Sequence, residues 1–417
     1  MFRSLLLLAI IGTALNGTLF NVANSIPNSL YILVAGGVFN VVLVPQLVRA
    51  MKHDADGGDA YANRVITLGL LVLSVATVLL MVAVPWLLHV FFKPELFTAE
   101  FTVQRQSAEL LTLLCMPQVF FYGAFMLIGQ ILNSRERFGP MMWAPIVNNL
   151  TAIGVLVMYA VIFGVAESGA NDGFSTPEAL LLGLGSTAGI MIQALVLLPY
   201  LRQVGFRYRP RFDFRGVGLG HTIKLGAWTL GFIVVNQIAY FSMLRIATGA
   251  DLEGAQRKVA SAGQVVYDVG FLITQVPHGV ITVSLATAMI PTLAALAADR
   301  NLGRLRLELG RTIRLTLMLV APIAVAVACL GPLIAAVLAG FGAAKGNTAA
   351  IGATVSAFAL AMVMFSTHYL VLRGFYAMED TRTPFFIQVA IAAANVVLAL
   401  VLTANAATIE VSTRLAL

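Results

Sequence analysis

An α-helical bundle threaded about eleven times through a membrane is the fold this sequence predicts, and three observations predict it. Of 417 residues, 59% are hydrophobic and the mean hydropathy is +0.90, well above the roughly 45–50% apolar content of soluble domains. Apolar runs near or above the roughly 20 residues needed to cross a hydrocarbon core recur along the chain, and residues 66–90 and 316–338 carry no Asp, Glu, Lys or Arg. These runs do not alternate polar and apolar every second residue, as barrel strands would, and lipid admits only helices and closed barrels.

Taken in order, the runs predict helices near 2–15, 18–51, 60–92, 104–134, 139–165, 177–203, 220–248, 258–298, 303–340, 348–378 and 383–404. Several exceed a minimal span and are expected to tilt or protrude. Pro27, Pro45, Pro117, Pro145, Pro277, Pro291, Pro322 and Pro332 fall inside them, where each is expected to bend or break the backbone unless neighbouring helices satisfy the freed groups.

The composition excludes several classes. Cys115 and Cys329 both lie in apolar runs, so there is no disulfide framework and no Cys/His metal spacing. No P-loop, GxSxG or HExxH pattern occurs, which leaves ATP-driven transport and hydrolysis unsupported within the chain. The chain is read as a non-enzyme without a cofactor, with a coupling ion or the membrane potential left open as the driving force. The net charge of +7 comes from arginines scattered through short loops, which does not make a nucleic-acid surface. When loops are assigned to alternating sides, fourteen Lys and Arg near helix ends fall on one side and six on the other. The positive-inside rule makes the richer side cytoplasmic, including RYRPRFDFR at 207–215.

Two polar hinges fall on that side: LNSRERFGP (132–140) and YAMEDTRTP (376–384). Each joins two apolar runs, ends in a proline suited to the first turn of the next helix, and is followed by embedded asparagines (Asn148 and Asn149; Asn395). Pro140 and Pro384 lie 244 positions apart. The pattern predicts parallel repeated halves, as in many secondary transporters: an N-terminal lobe at 1–203, a basic cytoplasmic linker at 204–219 and a C-terminal lobe at 220–417. On that offset the first helix is expected to be clipped and the last helix or helices missing.

At three ordered motifs the chain resembles the MurJ/MviN family. NSIPNSLYILVAGGVFNVVLVPQLVRA (24–50) is similar to that family's second helix, with its P-N-x-L step, A-x-G turn and V-P. VYDVGFLITQVPHGVITVSLATAMIPTLAALAADR (266–300) resembles its eighth helix, and RGFYAMEDTRTP (373–384) its tenth-to-eleventh turn. The resemblance implies two bundles around a central cavity in the bacterial cytoplasmic membrane. It implies alternating-access flipping of the undecaprenyl-pyrophosphate-linked peptidoglycan precursor, lipid II, with membrane lipids and cell-wall synthesis and division proteins as partners. Other readings are another exporter of the same MOP superfamily (a multidrug/cation antiporter or a polysaccharide-unit flippase), or a non-transporting truncated scaffold.

A diphosphate crossing a bilayer calls for buried cations, and its sugars call for amides or hydroxyls. Arg3 is the leading phosphate candidate, matching the arginine of the family's first-helix G-F-x-R pattern, of which Phe2-Arg3 remains. Arg245 in the seventh helix and Asp268 in the eighth are the other charged candidates, as a cavity-mouth cation and an intramembrane acid. Asn24, Asn28 and Asn40 of the second helix, Asn236, Gln237 and Tyr240 of the seventh, and Gln275 and His278 of the eighth supply neutral groups. Interhelix hydrogen bonding is the competing role for each. The chain departs from the family pattern at Ser4, Thr18, Tyr31, Ile32 and Leu272, where other members carry charges, which implies a less charged cavity.

Overall fold

The computed structural model describes residues 2–33, 58–213 and 219–417; Asn40, Pro45 and Arg215 lie outside them. All regular structure among the described residues is helical, and the fold is that of an all-α polytopic membrane protein. Nine helical stretches there are long and apolar enough to cross a membrane. The expected helix at 2–15 is interrupted: α1 (Phe2–Ile10) stops before Gly12, whose φ of 90° suits glycine. Then α2 (Leu15–Tyr31) begins.

The next runs break at small kinks. α3 (Asp59–Val82) gives way to α4 (Val84–Phe91) at Pro85, and α5 (Thr102–Cys115) to α6 (Gln118–Ser134) at Pro117. After α7 (Gly139–Phe163), α8 (Thr176–Leu195) opens on a capping box of Ser175 and Glu178 and continues as α9 (Leu197–Gln203). The expected boundary between helices at 248–258 is corrected. α10 (Leu219–Arg257) continues nine residues further, and α11 (Gln264–Pro277) starts six residues later than expected. Nor does Pro277 break the chain, because the helix passes through a π turn (His278–Val283) into α12 (Ser284–Ala298). α13 (Leu302–Ala339), α14 (Thr348–Ala377), α15 (Arg382–Thr403) and the short α16 (Val411–Ala416) complete the chain.

Contacts divide the molecule into two units: residues 1–18, 165–171 and 238–417, and residues 19–164 with 172–237. Residues 1–18 and 165–171 therefore pack with the second half of the sequence, whereas the lobes expected from the repeat divide at the 204–219 linker. In the first unit α13 meets α14 through glycines. A Cβ on Gly331 would sit 2.1 Å from Ser356 Oγ, and one on Gly352 would sit 2.7 Å from Pro332 Cα, a close approach of the kind small residues permit between membrane helices. In the second unit α7 keeps most of its surface outward, with Met142 79% and Val161 80% exposed. On a membrane helix such a face is turned to lipid rather than to a core.

The two hinges share one backbone. Arg137 N donates to Leu132 O (2.8 Å) and Glu136 N to Asn133 O (3.0 Å); Asp380 N donates to Phe375 O (3.0 Å) and Glu379 N to Tyr376 O (3.0 Å). This is the paired capping pattern that usually places glycine in the left-handed region. Here Glu136 (φ 60°) and Glu379 (φ 58°) take that position. The equivalence is by 243 residues, so the expected superposition of Pro140 on Pro384 is off by one. The first helical N–H groups have no intrahelical partner, so proline fits the second position of α7 and the third of α15 equally.

Candidate functional site

In the second unit, the polar face of α2 meets two other helices. Asn24 is half-buried and its Oδ1 accepts from Gln118 Nε2 of α6 at 3.2 Å; Gln118 itself is 1% exposed. Gln237 of α10 is buried and donates from Nε2 to Ser29 O at 3.0 Å. Asn28, one turn beyond Asn24, is exposed, as is Asn236. Tyr31 and Tyr122 stack beside them with centroids 5.8 Å apart. Two of the predicted amides thus form interhelix hydrogen bonds while two are exposed, the mixture that a polar membrane-embedded surface needs. Gln118 was missed by the sequence reading because it follows Pro117 in an otherwise apolar run.

In the first unit, Arg245 of α10 is exposed, Arg3 of α1 is half-buried, and Asp268 is half-buried with its Oδ2 accepting from Gln264 Nε2 at 2.8 Å. Asp268 lies in the second turn of α11, one helical step from Gln264. Gln275 and His278 line a cavity of about 240 Å³ with Tyr267, Phe365, Asn395 and Arg414. His278 is buried, its Nδ1 3.0 Å from Ser366 Oγ and its ring between Phe365 (4.7 Å) and Tyr369 (5.2 Å). Tyr240 is half-buried against Phe241 (5.9 Å).

Among the described residues, the most deeply buried acid is one the sequence reading left out. Asp251, fully buried, accepts from Thr18 Oγ1 (2.5 Å), Ser261 Oγ (3.0 Å) and Gln264 N (3.0 Å). Beside it Asn347 Nδ2 donates to Thr13 Oγ1 (2.6 Å) and Ser261 O (2.8 Å), and Leu15 N donates to Asn171 Oδ1 (3.0 Å). A buried carboxylate is expensive unless its lone pairs are filled. These donors fill them, and they bind residues 13–18 to the start of α11. The missed signal was helix length: had α10 been extended through ATGADLEGAQR, Asp251 would have fallen inside it. Among the described residues no three His, Cys, Asp or Glu side chains converge as metal ligands.

The fold has solved counterparts among membrane transporters. A solved inward-facing MATE-family multidrug resistance transporter of the MOP superfamily matches 99% of this chain and 93% of its own, with a TM-score of 0.67 at 14% identity. A solved lipid II flippase MurJ in an inward closed conformation matches 100% of this chain and 81% of its own, with a TM-score of 0.76 at 17% identity. At such identities the likeness concerns the fold, which is that of MOP-superfamily transporters. The family follows from sequence: the model of the lipid II flippase MurJ family matches residues 7–417, and the chain belongs to that family. Among curated relatives, the probable lipid II flippase MurJ of Haemophilus influenzae is 25% identical over 395 residues, covering 92% of this chain and 73% of its own. That of Rhizobium tropici is 28% identical over 391 residues, covering 92% and 68%.

Proposed function

We propose that the protein flips the undecaprenyl-pyrophosphate-linked disaccharide-pentapeptide, lipid II, from the inner to the outer leaflet of the bacterial cytoplasmic membrane by alternating access. The observation that carries the reading is the family match over residues 7–417. The apolar helices agree with a multi-pass protein, and the exposed Asn28 and Asn236 suit a glycan better than a hydrocarbon. Lipid-linked precursor and membrane lipids are the partners; cell-wall synthesis and division proteins are the proposed protein partners. The two-lobe organisation at 1–203 and 220–417 belongs to the same proposal, and the shared hinge backbone supports it.

Within this reading Arg3 is the main phosphate contact, because guanidinium offers a fork to a diphosphate and Arg3 is the one charged residue of the otherwise apolar α1. A charge-assisted hydrogen bond contributes about 1.5–3 kcal/mol, so Arg3→Ala weakens binding by about one to two orders of magnitude, and Arg3→Lys recovers part. The decisive experiment is lipid II export in cells depleted of their own flippase and carrying this gene; absence of export from a well-inserted protein defeats the reading. Export by Arg3→Ala equal to the parent defeats only the assignment of Arg3. For orientation, cysteines at Ser134 and Thr381 stay unlabelled by an impermeant maleimide added outside intact cells, and labelling there reverses the topology.

A further inference from the structure

The segment after α9 is a built surface. Phe206 is 1% exposed and sits under the Arg135 guanidinium, 5.4 Å from ring centroid to Cζ. Arg135 also donates to Val204 O (2.8 Å) and pairs with Asp59. Beyond Phe206 the chain lies across the first three turns of α3. Arg209 N donates to Asn63 Oδ1 (2.7 Å), Arg211 N donates to Thr67 Oγ1 (3.1 Å), and the Tyr208 hydroxyl is 3.1 Å from Thr67 Oγ1. Asp213 pairs with Arg64 at 2.7 Å, and that guanidinium holds its carboxyl below the usual range. The segment's acid is thereby neutralised. Alternate residues of an extended segment project to opposite sides. With Phe206 turned inward and Tyr208 tied to Thr67, Arg207, Arg209 and Arg211 are left exposed, with Arg202 exposed before them and Phe212 69% exposed after them.

The depth of this surface follows from α3. Its 24 residues span about 36 Å at roughly 1.5 Å per residue, against a hydrocarbon core of about 30 Å. All its charges, Asp59 and Arg64, lie in the first two turns, so that end sits at the headgroups. A row of guanidiniums there, with an aromatic ring beside it, is chemically matched to lipid phosphates.

We propose that residues 202–212 form a docking strip for the phosphodiester headgroups of anionic phospholipids, pinned to α3 by Asn63 and Thr67. Each arginine near a charged membrane surface contributes up to about a fivefold gain in binding. The test uses the full purified chain in detergent, with dioleoyl phosphatidylglycerol or dioleoyl phosphatidylethanolamine added and bound lipids counted by native mass spectrometry. R207Q/R209Q/R211Q binds phosphatidylglycerol ten to a hundredfold more weakly and phosphatidylethanolamine unchanged, with the parent's thermal unfolding. N63A/T67V keeps every arginine but frees the backbone, and loses about threefold. Parental phosphatidylglycerol binding by the triple variant overturns the proposal. Parental binding by N63A/T67V overturns the pinned geometry. A third probe, undecaprenyl diphosphate, separates the strip from the transport path: if the triple variant loses only this probe and keeps phosphatidylglycerol, the arginines serve the substrate and the proposal fails. None of these outcomes depends on the flippase reading.

Discussion

The two hinges have one backbone and two ways of holding it. At 132–140 the turn is fastened at long range: Arg135, only 20% exposed in its side chain, reaches Asp59, Val204 O and the face of Phe206. At 376–384 the fastening is local. Asp380 Oδ1 accepts from Arg382 N and Thr383 N, both at 3.0 Å, and so satisfies the start of α15, while the Arg382 guanidinium lies 5.8 Å from the Phe386 ring. What the two hinges share, then, is the pair of hydrogen bonds that ends the helix before each turn. The side chains that tie each turn to its surroundings differ.

The largest expected effect breaks the first hinge alone. Arg135→Ala leaves Asp59 and the Val204 carbonyl without their charged donor. A charge-assisted hydrogen bond is worth about 1.5–3 kcal/mol, and partial exposure lowers that, so a loss of about 2 kcal/mol is expected in thermal unfolding of the detergent-solubilised protein. Arg135→Lys keeps the charge but loses the fork and recovers about half. If Arg382→Ala costs as much as Arg135→Ala, the distinction between the hinges is wrong.

Much of this was legible in the sequence, for physical reasons that can be named. Apolar runs and proline positions report helices because lipid leaves the backbone little alternative, and the twin hinges were visible because charge is rare in this chain. The exact register was not visible. Pro140 and Pro384 gave 244, whereas the capping bonds give 243, since proline tolerates more than one place in a first turn. Asp59 and Asp251 were passed over for different reasons. Arg135 finds Asp59 only through folding, 76 residues away, and Asp251 lies beyond the expected helix end at 248, with donors that only the fold brings to it. Among the named site residues, Asn24 and Gln237 each make an interhelix hydrogen bond, and their partners Gln118 and Ser29 O belong to tertiary structure.

A smaller effect sharpens the second hinge. Asp380→Ala removes the acceptor at the start of α15 and costs about 1 kcal/mol, the usual value for such a cap. Its carboxyl titrates below the ordinary range, chiefly through its hydrogen bonds to Thr383. A depressed folded-state pKa gives stability that is present above the unfolded-state value, roughly 3.9, and is lost as pH falls through the lower folded value. Comparing parent and Asp380→Asn by thermal unfolding at pH 7 and below pH 4 therefore shows a gap at neutrality that closes in acid. A gap that widens in acid reverses the sign and removes Asp380 from the role.

The smallest effect tests what the hinges share. A side chain in the left-handed region costs about 1–2 kcal/mol relative to the right-handed one, and glycine escapes that cost but carries more unfolded-chain entropy, about 0.5–1 kcal/mol. With Glu136 at φ 60° and Glu379 at φ 58°, Glu136→Gly and Glu379→Gly should each stabilise the protein by about 0.5 kcal/mol. Because the backbone is the same, the two gains should be equal and additive in the double variant, whose substituted sites are far apart in sequence and share no capping bond. The measurement is thermal unfolding of both singles and the double against the parent. Equal gains identify the turn itself as the repeated element. A gain at one hinge and a loss at the other would mean that one glutamate side chain makes a contact worth more than its strain, and the common backbone would then be coincidence rather than inheritance.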